Sequence, residues 1–146
     1  MKIKVDIKGL KANTQRIIKA TEQSTFKSMQ DCMKDLNRVA SETAPLDEGD
    51  LEMSGTNEVH KTGIGVQGSV GFEVWNTEGK EDFNYAIWTH EQTYNLGDKS
   101  RAKAGGKGLS GKSYKVGRKY LVRPFRGEAS TYRGLIARNL KRDLGG

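Results

Sequence analysis

The chain has 146 residues, 34% of them hydrophobic, and a mean hydropathy of -0.73. That is enough for one core and too little for two. Its 25 basic and 18 acidic residues leave a net charge of +7 and a pI near 9.5, which favours acidic partners, nucleic acid above all, without fixing a fold or an activity.

Cys32 is the single cysteine, so no disulfide framework can form within the chain. A reducing compartment fits, with Cys32 as a small buried filler on a helix. The N-terminus Met1-Lys2-Ile3-Lys4-Val5-Asp6 has no apolar signal core, and no stretch approaches the roughly 20 apolar residues of a membrane span. The expectation is a soluble protein, intracellular where it is made, with no membrane partner. The thin apolar content implies either a disordered segment or a core completed by neighbouring subunits.

In chain order, Ile3, Val5 and Ile7 alternate with Lys2, Lys4, Asp6 and Lys8, which predicts a short strand broken at Gly9. From Leu10 to Thr43 the spacing changes to three and four. Ile18, Phe26, Met29, Met33, Leu36 and Val39 fall on one side, and Lys19, Gln23, Lys27, Asp31, Lys34 and Arg38 on the other. This is a long amphipathic helix, roughly 45–50 Å at 1.5 Å per residue. It must either cross a whole sheet or reach a partner. Ala44-Pro45 ends it, because a residue before proline is pushed away from helical angles. Asp47, Glu48, Asp50 and Glu52 follow as an acidic turn whose spacing is not that of an EF-hand loop.

Residues 56–61 and 68–75 read as strands joined through Thr62-Gly63-Ile64-Gly65, a hairpin with permissive glycines. A polar turn over 76–82 leads to Phe83–His90, read as a further strand with Tyr85, Ile87 and Thr89 on one face. Together these predict one antiparallel sheet of three to five strands. Residues 93–118 have neither period. They carry Lys99, Arg101, Lys103, Lys107, Lys112, Lys115 and Arg118 against the single acid Asp98, with six glycines among them. A stretch this long without a period reads as a mobile basic loop facing a partner or DNA. Lys119–Arg123 reads as a strand running into a helix begun by Pro124, with Phe125, Ala129, Tyr132 and Leu135 as its stripe. The predicted fold is a single α+β domain over 1–146, in which a long N-terminal helix and a C-terminal helix pack on one face of a small antiparallel sheet.

No enzymatic motif survives its context test, so no catalytic, cofactor or metal residue is assigned. His60, His90 and Cys32 are too few for a metal centre, and His90-Glu91 lacks the second histidine of a zincin. Gly63–Gly68 spells G-x-G-x-x-G between strands, where no dinucleotide site forms. Gly106–Ser113 spells G-x-x-x-x-G-K-S, but no strand leads in and no helix follows in the predicted elements. His90 is expected to make a structural hydrogen bond at the end of its segment.

Three pieces, Ala44-Pro45 with Gly49 and Leu51, Tyr85-Ala86 through His90-Glu91, and Leu121 with Pro124-Phe125, resemble the tail-completion, neck (head–tail joining) or minor capsid proteins of long-tailed bacteriophages and prophages. Members carry Ala-Pro, a spacer and Gly-x-Leu, then a Tyr-Ala segment ending in a carboxylate, then a late Pro-Phe pair. Here Glu52-Met53-Ser54 replaces the usual arginine or serine pattern after Leu51, and the 93–118 loop is longer and more basic than usual. The resemblance spans roughly residues 10–143. It implies a non-enzymatic structural protein of the virion, made in the host bacterial cytoplasm. Such a protein assembles with itself into a ring, often of six, between tail-tube and connector or portal-side proteins. In that setting the basic loop would meet channel DNA or acidic protein surfaces. The alternative is a nucleic-acid-binding module that contacts phosphates through the same loop.

Overall fold

The structure is a computed structural model and describes residues 2–4, 8–76 and 83–146. Its elements are α1 (Lys8–Thr43), α2 (Asp50–Met53), β1 (Thr56–Thr62), β2 (Gly65–Gly71), β3 (Trp75–Asn76), β4 (Phe83–Asn84), α3 (Tyr85–Glu91), α4 (Asp98–Ala102), β5 (Gly106–Lys107), β6 (Ser113–Tyr114) and α5 (Val122–Asp143). The fold is α+β, as its sequence implies. The proposed first strand falls partly on residues 5–7, and most of the 76–82 turn on residues 77–82; these lie outside the described residues.

α1 is the axis of the molecule. It begins at Lys8, so Gly9 sits inside its first turn and does not interrupt the chain. Its buried side chains, Ser24, Ser28, Cys32, Met33, Asp35, Leu36, Val39, Ala40 and Thr43, all lie from Ser24 onward, and all but Ser24 are in its C-terminal half. Against them pack α5 and the β1–β2 hairpin, whose register runs from Thr56↔Gly71 to Thr62↔Gly65 around a two-residue turn. The 62–65 connection is therefore a hairpin as read from its glycines. Asn139 Nδ2 donates to Ser28 Oγ (3.0 Å), and Tyr132 packs beside Cys32, so α5 runs antiparallel to α1.

Four expectations are corrected. Strands β1 to β6 form three separate two-stranded sheets (β1–β2, β3–β4, β5–β6) rather than one sheet of three to five strands. Of the strand expected over 83–90, only Phe83–Asn84 pairs, as β4, and residues 85–91 are the helix α3. Its seven residues are too few for periodicity to separate helix from strand, and the Asn84 side chain, accepting from Ile87 N (3.1 Å), caps its start. Lys119–Leu121 is a turn and not a strand, because Lys119 takes the left-handed value φ 57. The segment 93–118 is not structureless: it contains α4, β5 and β6, and β5 lies on α1. Pro124 does sit in the first turn of α5, buried.

The core is small and falls into two clusters that share Leu121 at their edges. One is Cys32, Met33, Leu36 and Tyr132 between α1, α5 and the hairpin. The other is Ala44, Leu51, Ala86 and Tyr120, with Phe72, Val74 and Tyr85 around it. The chain exposes 10336 Å². A compact monomer of 16.2 kDa would expose about 7,500 Å² by the usual scaling with mass.

Candidate functional site

The second cluster joins the three sequence pieces set apart above. Ala44-Pro45 leaves α1, and Gly49 (φ 101) turns the chain in the left-handed region so that Leu51 enters the core. Ala86 comes in from α3, and Tyr120 arrives from the turn before α5, its hydroxyl donating to Ala86 O (3.1 Å). Burial drives the Tyr120 hydroxyl pKa well above its ordinary value. Leu121 is half-buried, Pro124 buried, and Phe125 exposed. The His90 ring stands edge-on to Tyr120 at 5.1 Å, and its Nδ1 pairs with Glu91 (2.7 Å). Glu91 also pairs with Lys119, and that hydrogen bond, with the one from His90, holds its carboxyl below the usual range. His90 thus makes a structural hydrogen bond, at the end of a helix rather than of a strand. His90 Nε2 and Thr89 Oγ1 are buried without a partner among the described residues.

Most cations of the 93–118 segment hold the chain to itself. Lys103 Nζ donates to Ser41 O and Ala44 O, both at 2.9 Å, and pairs with Glu52 at 2.9 Å. Gly117 N donates to Thr43 O (3.1 Å). These two donors from far along the sequence reach Ser41 O and Thr43 O, two of the open carbonyls at the C-terminus of α1, where the helix carries no basic residue of its own. Lys99 donates to Asp47 O (2.8 Å), Lys112 to Gly127 O (2.9 Å), and Arg118 to Thr93 Oγ1 (3.3 Å), while Arg101 pairs with Asp98 (2.6 Å). Of the seven, only Lys107 and Lys115 have side chains exposed and without a partner among the described residues.

The phosphate-loop string has an occupant from its own chain. Glu128 on α5 is fully buried and accepts from Ser110 N (2.8 Å), Ser110 Oγ (2.5 Å) and Tyr114 OH (2.7 Å). Burial alone would raise its pKa. The bonds from Ser110 and Tyr114 and the charge of Lys112 outweigh that and hold the carboxyl below its usual range. Gly108 lies so close that a Cβ there would overlap the carboxylate. One turn further along α5, Tyr132 OH donates to Asp35 Oδ2 (2.9 Å), which also accepts from Leu109 N (3.3 Å). The loop between β5 and β6 therefore cradles carboxylates of the fold. Glu128 and Asp35 were missed as structural centres, although each is an acid on an apolar helical stripe. Glu128 lies three residues after Phe125 and four before Tyr132, and Asp35 lies between Cys32 and Val39.

Two exposed surfaces have no such internal use. The first is α1 from Lys8 to Lys19, exposed at every residue. Its Leu10, Ile17 and Ile18 are 65%, 46% and 47% accessible. The second is an aromatic groove of about 330 Å³ beside Pro45, lined by Leu46, Asp47, Tyr85, Trp88, Tyr94 and Leu96 among others. Trp88 stacks between Tyr85 and Tyr94, with ring centroids 6.4 and 5.4 Å away. No group of three or more His, Cys, Asp or Glu able to hold a metal ion occurs among the described residues, nor does a helix long and apolar enough to cross a membrane. Compared with family models, with curated proteins and with solved structures, the chain matches none.

Proposed function

We propose that this protein is a structural part of a long-tailed bacteriophage or prophage that joins or closes the head–tail interface as a homo-oligomeric ring. The observation that carries this reading is the unfinished surface of the protomer. It exposes 10336 Å², about 3,000 Å² more than a compact monomer of its mass. That excess is of the size permanent interfaces bury, about 2,000–5,000 Å². The resemblance of the pieces at 44–51, 85–91 and 121–125 supplies the phage setting, and the meeting of these pieces around Leu51, Ala86 and Tyr120 is consistent with their acting as one unit. Its partners are then further copies of itself, a tail-tube protein on one side and a connector or portal-side protein on the other.

The rival reading, phosphate contact through the 93–118 segment, draws less support, because five of its seven cations are engaged within the chain. Sedimentation of the purified chain at micromolar concentrations, followed by negative-stain imaging, tests the proposal. Closed rings, formed alone or on adding tail-tube or connector protein, are the expected result. A strict monomer under every one of these conditions overturns it.

A further inference from the structure

The buried face of α1 continues past the body of the protein. Ser28 and Ser24 lie on it under α5, and Thr21, Ile17, Thr14 and Leu10 carry the same three- and four-residue steps outward. The hairpin reaches α1 at Lys61, which pairs with Glu22 (3.9 Å) and sits over the Phe26 ring. Beyond that point α1 runs on as an arm of about 20 Å, at 1.5 Å per residue. That stripe, Leu10 and Ile17 with Thr14 and Thr21, is bordered by the exposed cation Lys11, while Arg16 and Lys19 project further round the arm and make it basic.

At the other end of the same helix lies the aromatic groove, whose wall mixes Leu46, Trp88 and Leu96 with the polar Asp47, Asn95 and Ser100. Asp47 lines it and Glu48 follows in sequence, both exposed, while Asp98, next to the lining Gly97, is paired with Arg101 and Lys99 donates to Asp47 O. A basic helix that exposes Leu10, Ile17 and Ile18 and an aromatic groove with Asp47 and Glu48 at its edge are complementary. They cannot meet within one protomer. From Ile17 to its end at Thr43 the helix spans about 39 Å and does not fold back.

We infer that the arm of one copy, through Leu10, Ile17 and Ile18, docks in the aromatic groove of the next. The contact is head-to-tail, the kind that closes into a ring when the rotation between neighbours divides a full turn. The inference rests on the ring reading proposed above and specifies the contact that would make the ring.

Charge reversal tests it on residues whose exposure spares the fold. In the full-length chain, Lys11→Glu with Arg16→Glu and Lys19→Glu alters the arm, and Asp47→Lys with Glu48→Lys alters the rim. Each set alone should weaken self-association ten-fold or more in sedimentation experiments, with the far-UV spectrum and thermal midpoint equal to those of the wild type at dilutions where both are monomeric. An equimolar mixture of the two sets should recover paired species, because the reversed arm then meets the reversed rim. Ile17→Asp should disrupt assembly without recovery by the rim set. If the arm variants assemble as the wild type does, the arm–groove contact is wrong while the ring stands. If the wild type never assembles, the ring reading itself has failed. Arm variants that keep their self-association but lose binding to tail-tube protein, or to vesicles of anionic phospholipid, would assign the arm to that other partner and overturn self-docking.

Discussion

At the scale of single residues, two charged side chains do work that their surface-like identity conceals. Glu128 holds the β5–β6 loop onto α5 through three hydrogen bonds at a fully buried carboxylate. Glu128→Ala would strand Ser110 and Tyr114, and should cost on the order of 3 kcal/mol in chemical denaturation. The pH dependence has a definite sign. The folded pKa lies below that of the unfolded chain, so the contribution is complete above about pH 4.3, the ordinary glutamate value, and is lost as pH falls through the folded one. Glu128→Gln should therefore give a shallower acid limb than the wild type. Lys103 is the second case. Lys103→Met removes the cation from the last carbonyls of α1 and the partner from Glu52, and should lower stability by about 1–2 kcal/mol. A loss no larger than that of Lys107→Met, an exposed neighbour, would show that the capping role is not needed.

At the scale of elements, α1 is one helix in two environments. Its C-terminal half is clamped by α5 and the hairpin, and its first twelve residues touch solvent. The arm propagates from turns already nucleated by the packed half, so only its own backbone bonds hold it and it frays from its free end. Hydrogen exchange should therefore find the amides of residues 8–19 exchanging orders of magnitude faster than those of 28–40 in the free protomer. Docking of the arm should slow them, and equal protection of both halves in a verified monomer would contradict this division. The existence, length and end of α1 were legible because its spacing persists over many turns and Pro45 stops it. α3 was not, since Tyr85–Glu91 is two turns long and its aromatic content suits a strand as well. The cap by Asn84 decided it, and the turn at Lys119 then removed the strand expected after the loop.

At the scale of the whole molecule, the net charge of +7 is not gathered in 93–118 alone, since Arg126, Arg133, Arg138, Lys141 and Arg142 are exposed on α5. Much of the positive charge in 93–118 is spent on carbonyls and carboxylates of the fold, and the arm and the groove rim carry opposite signs at opposite ends of α1. Assembly through that pairing should weaken as salt rises from 50 to 500 mM, since the screening length falls from roughly 14 to 4 Å over that range. Sedimentation across a salt series checks this. A self-association that strengthens with salt throughout would instead mark a contact made by apolar burial alone.

By itself the sequence determined the α+β class, the long helix with its proline stop, the glycine turn of the hairpin and the proline start of α5. Each of these is a local matter of period or backbone restriction, visible wherever the residues stand side by side. Only the tertiary structure decided which distant groups meet: Lys103 and Gly117 on the end of α1, Ser110 and Tyr114 on Glu128, and Leu51, Ala86 and Tyr120 in one cluster. A lysine that will cap a helix some sixty residues earlier in the chain has the same local pattern as one left in water, because the partner that distinguishes them is supplied by the fold.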